Sequence, residues 1–190
     1  MRQLSKILIQ MYPKNCTLKD GTRVILRPLL KEDGEALFQY VQELSQTDRL
    51  CFKEDVLNPG IIEKWIYELD YDNIFPLIAS ENGRIIAEAT LQFSSIGWTK
   101  HWGEIHFSVD TRYRQKGLGW RLARDLTEIA ARLGLEKLSA EIPRELDNAL
   151  SLFTKLGFIE LAVLKGFVRN GTGKETDLVL LSKDLSDQNN

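Results

Sequence analysis

The chain has 190 residues, 43% of them hydrophobic, which suits one globular domain with a sizeable core and argues against disorder. Its 25 basic and 27 acidic residues leave a net charge of -2, so no global field grips nucleic acid and any anion site must be local. Two cysteines, Cys16 and Cys51, allow at most one disulfide, and His101 and His106 have no neighbours at zinc-ligand spacing; together they predict a reducing cytoplasm and no metal.

The amino-terminal MRQLSKILIQMYPK has a basic start, but Lys6 and Gln10 cut its apolar run to Ile7-Leu8-Ile9, too short for a signal-peptide core. Apolar residues nowhere run for the roughly eighteen positions of a membrane span, so no membrane association is expected. Residues 1–16 are read as an N-terminal extension, 17–184 as the domain, and 185–190 as a polar tail whose SDQNN should fray.

Residues 22–29 read as a first strand. Residues 31–45, with Ala36, Leu37, Tyr40, Val41 and Leu44 at helical spacing, read as a helix, and 60–69 as a second. Two apolar runs in IFPLIASENGRIIAEATLQF meet at Asn82-Gly83, a hairpin turn. The strand EIHFSV leads into VDTRYRQKGLGWRL. Beyond it Leu118, Leu122, Leu126, Ile129, Ala130 and Leu133 repeat at threes and fours, with Asp125 the one break in the stripe and Gly134 a helix C-cap. Residues 135–142 read as a strand, 147–156 as a short helix, and 159–168 with 175–182 as a last pair across Asn170-Gly171-Thr172-Gly173. Alternating strands and helices predict an α/β or α+β fold with a mixed sheet.

The junction at residues 109–122 crowds Arg112, Arg114, Lys116 and Arg121 around Gly117 and Gly119 where a strand gives way to a helix. Unpaired N–H groups and the positive end of a helix dipole meet there, a cradle for an anion such as pyrophosphate. The glycines lack a Cβ, which lets a ligand approach the main chain. A Rossmann fingerprint fails because Leu122 stands where the third glycine belongs, and a P-loop fails because the order is Lys116-Gly117. The GTGKET segment has Val168 at the first glycine position and reads as a turn. What remains is Arg114-x-x-Gly117-x-Gly119. A solvated basic face is the alternative reading of the same charges.

With the strand EIHFSVD before it and Asn148-Ala-Leu-Ser-Leu-Phe153-Thr-Lys-Leu-Gly157-Phe158 after it, this loop resembles the GNAT superfamily of CoA-dependent N-acyltransferases over roughly residues 17–184. The resemblance implies a single-domain fold whose twisted mixed sheet has splayed central parallel strands, here 104–109 and 135–142, flanked by helices. It implies acetyl-CoA as co-substrate, its pantetheine arm on main-chain groups of Phe107, Ser108 and Val109. Its pyrophosphate would lie on N–H groups of Arg114, Gln115, Lys116, Gly117, Leu118, Gly119 and Trp120. Asn148 would bond the pantetheine region, or serve as an N-cap.

The reaction implied is acetyl transfer to a primary amine of a small molecule, peptide or protein. An ammonium acceptor must first lose a proton. Glu104 is the first candidate base, since period-two alternation puts it on one face with His106 and Ser108; Glu141 on the partner strand is the second. His106 has a suitable ordinary pKa, though a strand histidine also packs as a simple core residue. A backbone N–H at a bulge near Ser108 or Val109 would polarise the thioester. Many relatives place a tyrosine acid where this chain has Phe153, which leaves Ser151, Thr154 or water to protonate the leaving thiolate. That departure keeps a second reading open, an acyl-CoA-binding sensor without turnover. Trp98 and Trp102 are rim or acceptor-pocket candidates. The acceptor is unspecified, and a homodimer stays open.

Overall fold

The computed structural model describes Lys6, residues 9–170 and residues 172–185. Ile7, Leu8, Gly171 and the SDQNN tail lie outside the described residues. Eight strands run β1 (Lys14–Thr17), β2 (Arg23–Pro28), β3 (Ile74–Glu81), β4 (Arg84–Phe93), β5 (Trp102–Val109), β6 (Lys137–Pro143), β7 (Ile159–Arg169) and β8 (Glu175–Asp184). Between them, among the described residues, lie four α-helices: α1 (Gly34–Glu43), α2 (Pro59–Tyr67), α3 (Leu118–Arg132) and α4 (Asp147–Lys155). The strands form one sheet in the order β1-β2-β3-β4-β5-β6-β8-β7, in which β5 with β6 is the parallel pair and the other neighbours are antiparallel.

Helices cover both faces. One core cluster packs α3 residues Leu118, Leu122, Leu126 and Ile129 and α4 residue Phe153 onto the sheet; the other packs Leu37, Tyr40 and Val41 of α1 and Ile62 of α2 against Ile78 and Ile85. The central strands β3 and β4 are therefore buried on both sides, which is why their sequences run apolar with little alternation. At the far edge β7 pairs on one side only. Its register with β8 slips between Glu160 and Ala162 and again between Leu164 and Val168.

Local chemistry sets the boundaries. Asn82 and Gly83 take φ of 51° and 83°, the positive-φ pair that a two-residue hairpin turn requires. The Asn58 side chain accepts from the Gly60 N–H and Pro59 opens α2. After α3, Leu135 N–H reaches Ala130 C=O and Gly134 N–H reaches Ala131 C=O, with Gly134 at φ 79°, the paired closure of a glycine C-cap. The predicted helix at 31–45 begins instead as a short 3-10 turn at Lys31–Asp33, where the Asp33 carboxylate accepts from Leu30 N–H and takes a two-pronged bond from Arg27 at 2.6 and 2.7 Å.

Strand β1 was not foreseen; it opens inside the segment read as an extension. It explains Asp125, the polar break in the α3 stripe. That carboxylate is buried and accepts from Lys14 Nζ of β1 at 2.9 Å and from Tyr12 Oη at 3.2 Å. Burial first, and the adjacent Asp125 charge second, hold the Tyr12 phenol far above its ordinary range. Cys16 in β1 is buried with a free thiol. The side chain of Cys51, its candidate disulfide partner, lies outside what is described. Among the described residues no helix is long and apolar enough to cross a membrane.

Two stability effects follow. Lys14→Ala strands a buried carboxylate without its ammonium and should cost about 2 kcal/mol in urea unfolding; an unchanged unfolding midpoint would refute this role for the pair. At Asp33 burial raises the carboxyl pKa, but the Arg27 and Leu30 bonds outweigh it and hold it below the ordinary 3.8. A depressed carboxyl stabilises the fold above that value and loses the contribution as pH falls through its folded value. Urea midpoints should therefore be flat near neutrality and fall below about pH 4, with a shallower fall in Asp33→Asn.

Candidate active site

The site is built where β5 leaves β6. The two strands pair only at Trp102↔Lys137, Gly103↔Leu138 and Glu104↔Ser139, whereas β5 stays paired with β4 from Gly103↔Phe93 to Val109↔Ala87. The splay implied for these strands thus begins just after Glu104. The β4–β5 register runs without a slip, so no bulge is present at Ser108 or Val109. Asp110 N–H bonds Ile86 C=O, which makes Val109↔Ala87 a non-hydrogen-bonded pair and, by alternation, Phe107↔Ala89 another. The main-chain groups of Phe107 and Val109 therefore point into the gap. Those of Ser108 are engaged by β4, a correction to the expected ligand edge. Val109 C=O already accepts from Arg114 Nε at 3.0 Å, leaving its N–H open.

At the end of β5 the chain turns through Thr111–Tyr113 and enters α3 with Gly117 at φ 89° and Gln115 at φ 60°. The first-turn N–H groups of Leu118, Gly119 and Trp120 have no partner within the helix. Arg114 differs from expectation: its N–H goes to Thr111 C=O, and its guanidinium pairs with buried Asp48. Arg112 likewise pairs with Asp110 and Glu43, and Lys116 with Asp20 at 2.8 Å. The basic cluster seen in the sequence is thus largely internally compensated. Gly119 also has another reason than ligand access. A Cβ there would meet Leu152 Cδ2 at 3.1 Å and Phe107 Cε2 at 3.4 Å, so it lets α3 close onto β5 and α4.

A cavity of about 160 Å³ opens beside this turn, lined by Thr17, Lys19, Lys116, Gly117, Arg121 and Arg124, with half-exposed Trp120 on its wall. Among the described residues Lys19 and Arg124 have no ion-pair partner, and the Arg121 guanidinium bonds the Cys16 sulfur at 3.4 Å. Lys19 and Arg124 were missed in the sequence. Positions 117, 120, 121 and 124 share one helix face, a signal that was readable; Lys19 arrives from the β1–β2 turn, tied by its N–H to Lys116 C=O.

Helix α4 packs beside β5 and α3, through Phe153 on Phe107 and Leu152 against Gly119. Asn148 is exposed and is the second residue of the helix, with Leu146 at the cap position, so it is no N-cap and its side chain is open. Phe158 N–H reaches Phe153 C=O and Gly157 N–H reaches Thr154 C=O, with Gly157 at φ 87°, so the Gly-Phe pair is a helix stop. Phe153 is buried, stacked on Phe107 with ring centres 5.3 Å apart and edge-on to Phe158 at 4.8 Å. Thr154 spends its hydroxyl on Leu150 C=O and Ser151 is exposed on the outer face, so neither replaces the missing tyrosine.

The opposite face of β5 carries the titratable groups. Glu104 and Glu141, on the two parting strands, are drawn together by Lys53, whose Nζ lies 2.6 Å from one and 3.0 Å from the other. Burial lowers the Lys53 pKa, but its bonds to Glu104 and Glu141 outweigh that and raise it. Next along the face, His106 Nε2 lies 3.4 Å from Glu88 Oε2 and its ring meets Phe52 edge-on. Glu88 is buried; its other oxygen accepts from Thr90, while Oε2, beside His106, has no hydrogen-bond partner among the described residues. Burial lowers the His106 pKa, and the Glu88 charge more than restores it. Ser108 Oγ and Tyr40 Oη share a 2.7 Å bond. Of the tryptophans, Trp98 is exposed and Trp102 half-buried at the start of β5. Lys53, Glu88 and Asp48 were absent from the sequence reading, and Tyr40 entered it only as part of the helix stripe.

A parted parallel pair beside a helix N-terminus, with carboxylates at the mouth, is the layout of an acyl-CoA-dependent transferase. Residues 39–158 match the acetyltransferase (GNAT) family model, and the chain belongs to that family, whose co-substrate is acetyl-CoA. YwnH of Bacillus subtilis (strain 168), a candidate phosphinothricin acetyltransferase, is 32% identical over 108 residues, 56% of this chain; the match spans 65% of the length of that relative. The solved structure of a candidate phosphinothricin N-acetyltransferase is 25% identical, with TM-score 0.71 over 86% of this chain and 99% of that one. The fold is also that of yncA, a candidate acetyltransferase from Salmonella typhimurium solved with acetyl-CoA, at 19% identity and TM-score 0.71 over 86% of this chain and 94% of that one.

The Glu88–His106 pair gives a direct test. Glu88→Gln keeps the shape and removes the charge that raises the imidazole, so the His106 midpoint followed by NMR should move down. A midpoint that stays put would assign the raised value to another neighbour.

Proposed function

We propose that this chain is an N-acetyltransferase that moves an acetyl group from acetyl-CoA to a primary amine. The observation that carries the reading is the parting of β5 from β6 just beyond Glu104↔Ser139, which opens Phe107 and Val109 beside a helix N-terminus and sets two carboxylates at the mouth. The donor set suits the co-substrate. The open strand edge at Phe107 matches the amide-bearing pantetheine arm, with Asn148 within the facing helix. The N–H groups of Gln115 to Trp120 offer an anion cradle for the pyrophosphate, and Lys19, Arg121 and Arg124 add charge for the remaining phosphate. When bound, acetyl-CoA supplies the activated acyl group.

The chain's own residues then divide the work. Glu104 takes the proton from the incoming ammonium, with Glu141 holding the cation from the other strand. The acceptor displaces Lys53 from these carboxylates, one cation for another. Val109 N–H donates to the thioester oxygen as charge builds there. No protein acid is assigned to the leaving thiolate, because Phe153 is apolar and Thr154 is bonded to its own helix; a thiol of pKa about 8.5 leaves without one, and water completes the proton balance. The names of the relatives make phosphinothricin the first acceptor to try. Residues 17–184 would carry this activity, in the cytoplasm, where a buried free thiol such as Cys16 persists. The second reading, an acyl-CoA-binding module without turnover, is favoured by the buried Phe153 alone.

Thiol release from acetyl-CoA across a panel of amines that includes phosphinothricin separates the two. With a responsive amine, Glu104→Gln should lower turnover by roughly two orders while leaving acetyl-CoA affinity nearly unchanged, and the deficit should shrink at high pH where the amine is already neutral. Saturable acetyl-CoA binding by wild type with no amine-dependent release would favour the binding module.

A further inference from the structure

Lys53 is singular among the lysines of this chain. It stands on the connection between α1 and α2, just after the turn at Asp48–Cys51, and its ammonium bonds both carboxylates of the candidate site, one on each parting strand. Its side chain is 63% exposed. A contact that open to water contributes little to folding, so stability gives a weak reason for a lysine here. Geometry gives a better one. The Nζ atom occupies the position a substrate ammonium needs: on the base, at the mouth of the gap, and on a segment that reaches the site from outside the sheet.

We propose that Lys53 is itself an acetyl acceptor, modified in cis by the site it enters; this rests on the reading of Glu104 as the base. Glu104 removes one proton from the Lys53 ammonium. The freed nitrogen lone pair attacks the carbonyl carbon of the acetyl thioester, the new N–C bond forms, the C–S bond breaks, and the electron pair leaves on the CoA thiolate. The second proton leaves the nitrogen and reaches the thiolate through water, so the products are acetyl-lysine, CoA as the free thiol and the one proton that Glu104 releases. Acetylation converts an ammonium into a neutral amide, so Glu104 and Glu141 are both released for an external cation. The modification thereby changes the site from self-occupied to open.

The test incubates the full chain with acetyl-CoA and locates acetyl groups by tandem mass spectrometry, while thiol release with the amine panel is measured on the same wild-type preparation. Lys53 should label first, with a rate constant independent of protein concentration and about a hundredfold slower in Glu104→Gln of unchanged circular dichroism. Without any acetyl-CoA, NMR of the lysine ammonium groups should show Lys53 titrating above the ordinary lysine value and returning toward it in Glu104→Gln. Lys53 labelling equal in both proteins, equal to that of exposed lysines, or proportional to protein concentration would overturn the proposal. Amine-dependent thiol release with no label on Lys53 would overturn it while leaving the acetyltransferase reading intact; absence of both would remove both. Labelling without amine turnover would support it and restrict the chain to its own lysine.

Discussion

The structure depends on a sheet that stays continuous while one of its ladders is cut short. β5 and β6 are each held by an antiparallel neighbour on the outer side, β4 and β8, along nearly their whole lengths, and that lets their inner edges diverge after three pairs. The divergence leaves main-chain groups without strand partners, a cost that a folded protein tolerates only where something else can satisfy them. Phe107 and Val109 carry those groups. Their side chains meanwhile pack toward α3 and α4, so the strand that is incomplete on one edge is rigid on its face.

The same alternation sorts charge. Odd-numbered β5 residues face α3, where Lys19, Arg121 and Arg124 form no ion pair among the described residues; even-numbered residues face α1, where Glu88, Glu104 and Glu141 gather. A chain of net charge -2 thereby has a positive side and a negative side on one strand, which on the proposed reading suit a polyanionic co-substrate and a cationic acceptor. The loop arginines do a different job from the one their position suggests. Arg114 and Arg112 tie the junction to Asp48, Asp110 and Glu43, fixing the turn so that the helix N-terminus, and not the guanidinium groups, faces the gap.

What the sequence disclosed follows from where its signals are local. The α3 stripe, the Asn82-Gly83 turn and the Gly157-Phe158 stop are encoded within a few residues, and the structure has all three. The β5–loop–α3 junction was legible for the same reason, and Glu104 and Glu141 were placed on the right strands. The rest is non-local. Lys53 comes from a connection with no periodicity, and its partners lie 51 and more positions away in the chain. Glu88 is a lone acid in the apolar run of β4, and its burial beside His106, on a strand that α1 contacts, is set by residues far from it in the chain. β1 is four residues of mixed character, and its tie to Asp125 spans 111 positions. Gly119 was read as space for a ligand because the Leu152 contact that fills that space is invisible until α4 is docked.

The two register slips in β7 bear on how this molecule keeps company with copies of itself. An eleven-residue edge strand with Ile159, Leu161 and Phe167 exposed would ordinarily be a template for a neighbouring chain. Here each slip rotates the strand and breaks the evenly spaced row of donors and acceptors that a docking strand needs, and Lys165 and Gly166, both held by Asp177, lie within the second. The edge is sticky in its side chains and discontinuous in its backbone. Crowded solutions of this protein should therefore resist cross-β assembly along β7 even though the strand is long and apolar enough to invite it.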